Sequence, residues 1–142
     1  TFPKSEGQIP IYYNYFNTGR PTPDEGVLSK FLTGYIDLQK KPKFPFGFGL
    51  SYTTFQYSDL KLSSSKMIEN KTIDVTFTLT NNGKIAGEEV VQLYIRDMVA
   101  SLVRPVKELK DFQKLMLKPV INKNYLFTIV NWIGRLNPVS LI

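Results

Sequence analysis

The clearest signal along this 142-residue chain is a period of two. In residues 72–80, Ile73, Val75, Phe77 and Leu79 take one parity and Asp74, Thr76, Thr78 and Thr80 the other. That alternation predicts a strand with one face in a core and one in water. Residues 88–97 repeat it, with Val91, Leu93 and Ile95 inward and Gln92, Tyr94 and Arg96 outward. Two more predicted strands carry a slip. Over residues 55–62, Phe55 and Tyr57 share one parity and Leu60 and Leu62 the other, so a bulge or bend is expected near Ser58. Over residues 106–117 the slip lies between Leu109 and Phe112, and a bulge near Lys110 and Asp111 is expected to bring both to one core with Leu115 and Leu117. A weaker last strand covers residues 125–130, where Tyr125, Phe127 and Ile129 alternate. Asn81-Asn82-Gly83 supplies turn chemistry that tolerates positive φ.

Five strands at this spacing argue for an all-β chain, an antiparallel β-sandwich. A sandwich of this kind usually has seven strands. The C-terminal edge is therefore expected to lack its last strands and to leave an open sheet edge prone to pairing with another copy. Residues 1–43 differ in character. Pro3, Gly7, Pro10, Gly19, Pro21, Pro23, Gly26, Gly34 and Pro42 punctuate them, and only residues 9–16 read as a strand. So long an irregular stretch is unusual inside a compact domain. The expectation is an N-terminal arm, residues 1–43, shaped to lie on a body outside this chain, followed by the sandwich in residues 44–142.

Arm and sandwich meet at Phe44-Pro45-Phe46-Gly47-Phe48-Gly49-Leu50-Ser51-Tyr52-Thr53-Thr54-Phe55. Proline removes a backbone donor and glycine costs conformational entropy, so this run suits a sharply turning backbone over a buried aromatic cluster rather than a helix. Phe44, Phe46, Phe48, Tyr52 and Phe55 are accordingly expected in the core. The Gly-x-Gly pair has no preceding strand, third glycine or following helix, so a phosphate cradle is not indicated.

This stretch closely resembles the signature that joins the second catalytic domain of glycoside hydrolase family 3 enzymes, the β-glucosidases and β-xylosidases, to their fibronectin type III-like C-terminal domain. Gly7-Gln8-Ile9-Pro10-Ile11-Tyr12-Tyr13-Asn14 and Asn17-Thr18-Gly19-Arg20-Pro21 resemble the tail of that family's α/β-sandwich domain. Residues 87–97 and 104–112, from Gly87-Glu88-Glu89 to Lys110-Asp111-Phe112, are similar to core strands of the fibronectin-like module. The resemblance implies an immunoglobulin or fibronectin type III-like sandwich. It implies a non-catalytic accessory role beside the catalytic domains of a parent glycosidase that releases terminal β-D-glucosyl residues, and a periplasmic or secreted address for that parent. After Pro119 the chain departs from the family pattern, which has a glycine where Val120 stands.

Composition removes most chemistry. There is no histidine, which excludes imidazole acid–base schemes and His-metal sites, and no cysteine, which excludes disulfides and thiolate ligands. A net charge of +6 is spread along the chain, so nucleic acid is not an indicated partner. No apolar run approaches membrane-spanning length. Glycoside hydrolysis needs two carboxylates converging on one bond, roughly 5–9.5 Å apart. The adjacent pair Glu88 and Glu89 lies at a strand start, where neighbours point to opposite faces. In the family, the resemblance implies, the nucleophile is an aspartate of the barrel domain and the acid/base a glutamate of the α/β-sandwich domain. Neither motif occurs here, so no catalytic, cofactor-binding or metal residue is assigned, no cofactor is expected, and the chain alone is expected to be inactive. Tyr12, Tyr13, Tyr15 and Arg20 are the candidates for glycan or interdomain contact, with packing of the arm as the plainer alternative. The rival functional classes are a carbohydrate-binding or cell-surface adhesion module and a homo-oligomerisation module using the open edge.

Overall fold

The computed structural model describes residues 1–20, 31–35, 37–67, 71–97, 102–119, 121–129 and 134–141. The chain forms two compact units, one from Thr1–Phe48 with Leu102–Lys107 and one from Gly49–Ser101 with Glu108–Ile142.

The second unit is a β-sandwich, with seven strands among the described residues: β1 (Phe55–Leu62), β2 (Lys66–Met67), β3 (Ile73–Asn81), β4 (Gly87–Asp97), β5 (Glu108–Leu117), β6 (Asn122–Ile129) and β7 (Gly134–Leu141). All pairings are antiparallel, in a three-stranded sheet ordered β1-β3-β6 and a four-stranded sheet ordered β2-β7-β4-β5. The inward parity of β3 (Ile73, Val75, Phe77, Leu79) packs with Val91, Leu93 and Ile95 of β4, Leu117 of β5 and Phe127 of β6. Phe77 is central. Its ring stacks at 5.7 Å on both Tyr125 and Phe127 and lies 6.1 Å from Tyr57. Such aromatic pairs add to the apolar area they bury.

Both expected bulges are present. In β1 the register slips between Ser58 and Lys61, and Asp59 takes a φ of 55°. The extra residue brings Phe55, Tyr57 and Leu62 to the core while Leu60 is exposed. In β5 Leu109 pairs with Tyr94 and Asp111 with Leu93, which puts the bulge at Lys110. The consequence differs from expectation. Leu109 and Phe112 do share a face, but it is the face of Tyr94 and Gln92, and Phe112 is 62% exposed. Only Leu115 and Leu117 face the core.

Three other expectations are corrected. The C-terminal edge is not missing: β7 lies inside its sheet, between β2 and β4. Its register slips opposite Arg96, from Leu136↔Asp97 to Val139↔Ile95, so the bulge takes Pro138, which has no N–H, out of the ladder. Tyr94 and Gln92 are buried rather than solvated, because β4 is an internal strand covered on both faces over residues 91–95. Their polar ends meet, the Tyr94 hydroxyl donating to Gln92 Oε1 at 2.5 Å. Residues 9–16 form no strand, since Pro10 removes a donor and the segment finds single partners instead of a ladder. Residue 130 of the last predicted strand lies outside the described residues.

The first unit is held by isolated bonds around one buried amide. Gln8, in a 3₁₀ turn over Glu6–Gln8, is fully buried. Its Oε1 accepts the Lys4 N–H at 2.6 Å, and its Nε2 donates to the carbonyls of Gln39 and Lys41 at 2.9 and 3.1 Å. The Tyr35 hydroxyl donates to the Gln8 carbonyl. Bridges Phe2↔Phe44 and Phe16↔Pro105 complete the pattern.

Candidate functional site

The family-like stretch ends in a side chain seated with little slack. Thr53 precedes β1, and its hydroxyl donates to Asn81 Oδ1 at 2.6 Å. Asn81, fully buried at the end of β3, also accepts the Gly83 N–H at 3.0 Å and donates from Nδ2 to the carbonyls of Ile85 and Leu117 at 2.9 and 3.1 Å. One carboxamide thus ties the start of β1, the β3–β4 turn and the end of β5. The seat is walled by glycine. A Cβ at Gly83 would overlap the Thr53 hydroxyl, and one at Gly87 would lie 2.7 Å from Thr53 Cγ2. Among described glycines only Gly47 has positive φ, so Gly83 serves close approach rather than the left-handed turn expected of Asn81-Asn82-Gly83. Nothing in a single sequence pairs Thr53 with Gly83 across thirty positions.

The aromatic cluster expected around this stretch is largely open. Phe44, Phe46 and Phe48 are partly exposed, with Phe44 and Phe48 in contact at 4.9 Å, and Tyr52 is fully exposed. The reason is parity: Thr53, Phe55 and Tyr57 face inward, so Tyr52 faces out. Of the four contact candidates, Tyr13 stacks on Phe46 at 4.5 Å and Tyr15 lies under the Lys40 ammonium, 4.1 Å from its ring centre. The Tyr15 carbonyl also accepts the Val106 N–H. Tyr12 and Arg20 are exposed, and the Arg20 carbonyl accepts the Thr33 N–H at 2.8 Å.

The carboxylates have separate local partners. Glu88 pairs with Lys114 at 2.5 Å on the outer face of the β4–β5 pair, while Glu89, one residue on, takes the opposite face and accepts the Tyr57 hydroxyl at 2.8 Å. Burial, then the hydrogen bond to Glu89 and its charge, hold the Tyr57 phenol well above its usual range. Glu108 pairs with Lys110 at 2.7 Å, Asp111 accepts the Phe112 N–H at 2.7 Å, and Asp74 accepts the Thr128 hydroxyl at 3.0 Å. Among the described residues no group of three or more acidic side chains is placed to hold a metal. On the outer face of the β1-β3-β6 sheet, Asp59, Lys61, Thr76, Thr78, Asn124 and Leu126 line an open polar concavity. Among the described residues no helix is long and apolar enough to cross a membrane.

Residues 89–130 match the fibronectin type III-like domain family. A periplasmic β-glucosidase of Salmonella typhimurium is 46% identical over 91% of this chain, and a β-xylosidase of Formosa agariphila is 40% identical over 89%. Among solved structures, a β-glucosidase of Listeria innocua in complex with isofagomine superposes with a TM-score of 0.83 and 39% identity over 91% of the chain. The chain spans 17%, 16% and 18% of these three proteins respectively.

Proposed function

On the premise that this chain belongs with the glycoside hydrolase family 3 β-glucosidases as their C-terminal region, fibronectin type III-like domain included, we propose that it is a non-catalytic accessory domain supporting the catalytic domains of such an enzyme. The parent hydrolyses terminal β-D-glucosyl residues, in the periplasm or outside the cell. The observation that carries this reading is the match itself, which takes in nine-tenths of this chain and about a sixth of each relative. The separate pairing of Glu88 and Glu89 supports it, since neighbouring side chains on opposite faces of a strand do not converge on one glycosidic bond. The word periplasmic in the Salmonella protein's name supports the address.

The experiment is hydrolysis of a chromogenic aryl β-glucoside by the purified chain, with its dispersity measured on the same sample. The expected result is no turnover above buffer from a well-dispersed protein. Turnover that follows the protein through purification and disappears in Glu88→Gln or Glu89→Gln would overturn the reading.

A further inference from the structure

In the sandwich unit, two large apolar side chains stand in solvent on a backbone that is itself fixed. Leu50 is 90% exposed and Tyr52 is 98% exposed. They lie two residues apart, within about 7 Å along the chain. The segment carrying them is held immediately downstream by the seat of Thr53 between Asn81, Gly83 and Gly87. Ser51 Oγ accepts the Thr53 N–H at 3.3 Å, and the Thr54 carbonyl accepts the Asn82 N–H at 2.9 Å. The sandwich itself gains nothing from either side chain, because neither packs on it.

A leucine and a tyrosine offered from a preordered backbone are suited to a protein interface. Large side chains with few rotatable bonds are typical anchors, and preordering removes part of the entropic cost of association. The occupant follows from the extent of the match. A protein 46% identical to this chain over 91% of its length devotes only 17% of its own length to that match, so most of such an enzyme has no counterpart here. We propose that Leu50 and Tyr52 are the anchors by which this region docks on the catalytic body of a family 3 glycosidase. That surface supplies adjacent apolar pockets, with a hydrogen-bond acceptor at the mouth of the tyrosine's. This proposal rests on the accessory-domain reading above and names the contact through which the support is given.

The test exchanges the matching region of the Salmonella typhimurium β-glucosidase for this whole chain and follows aryl β-glucoside hydrolysis and thermal melting. Leu50→Ser, Tyr52→Ser and the double variant are measured both in the chimera and in the isolated chain. The chimera should be active. The double variant should lose at least about tenfold of the soluble activity and melt at a lower temperature, as expected on removing two interface anchors, while the same double variant of the isolated chain melts unchanged. A double-variant chimera as active and as heat-resistant as its parent chimera would refute the anchors and leave the accessory reading standing. A lowered melting temperature in the isolated chain would also refute them, by making the two side chains supports of their own sandwich. An inactive or insoluble parent chimera would sink the accessory reading, and the anchors with it.

Discussion

Asn81→Ala is the perturbation that most directly tests how this sandwich is held together. Asn81 makes four hydrogen bonds from a fully buried side chain, and truncation removes all four while leaving the backbone ladder to β1 in place. The Leu117 carbonyl is in the interior and loses a donor that water cannot replace, at a cost of about 1–3 kcal/mol. The other three partners, the Thr53 hydroxyl, the Gly83 N–H and the Ile85 carbonyl, are part-buried and each lose about 0.5–1.5 kcal/mol. The sum centres on about 5 kcal/mol, a large share of the roughly 5–15 kcal/mol that stabilises a typical domain. Urea unfolding followed by far-ultraviolet circular dichroism gives the measurement, with Asn82→Ala as the control. Asn82 is exposed and its side-chain amide donates to Gln56 Oε1, so the loss of that side chain should fall within about 0.5 kcal/mol. An Asn81→Ala loss below about 1 kcal/mol at unchanged m would refute the reasoning, because the carbonyls it frees would then have found other donors.

Gly83→Ala should be strongly destabilising alone and much less so in a Thr53→Ala background, since the added methyl overlaps the Thr53 hydroxyl. A double-mutant cycle reads this directly, and strict additivity would count against the seat described for Thr53. Stability should also fall on the alkaline side. The unfolded chain releases the Tyr57 proton near pH 10.0 while the folded state retains it, so the stability linked to Tyr57 is complete below that pH and is lost progressively as pH rises from there toward the higher folded-state value. Burial acts on Tyr125 in the same direction. Tyr57→Phe should flatten the alkaline limb of a stability-versus-pH curve, and an unchanged slope would contradict the assignment.

What could be read from the chain beforehand was what depends on neighbours in sequence. The parity of Ile73, Val75, Phe77 and Leu79 located β3, and parity slips located the bulges at Ser58 and Lys110. What could not be read depends on partners far away. Tyr94 and Gln92 alternate like solvent-facing residues, yet lie in an internal strand buried on both faces. Pro138 argues against a strand until the bulge opposite Arg96 removes it from the ladder. The family-like stretch was legible as a motif but not in its orientation, because which of Tyr52 and Thr53 turns inward is decided by Asn81 and Gly83. The arm candidates share the same limit: Tyr13 meets Phe46 and Tyr15 meets Lys40 across some thirty and twenty-five residues.

The six residues Leu102–Lys107 belong to the first unit although the chain on both sides of them belongs to the second. Tyr15 and Phe16 pair through their backbones with Val106 and Pro105. On a ribosome the N-terminal unit therefore cannot be the first to mature, contrary to the usual order of synthesis. Its closing bridges wait until β1 to β4 have emerged. The same connectivity bears on dissection: cleavage after Phe48 yields no self-sufficient arm, because the last pieces of its framework are encoded inside the sandwich.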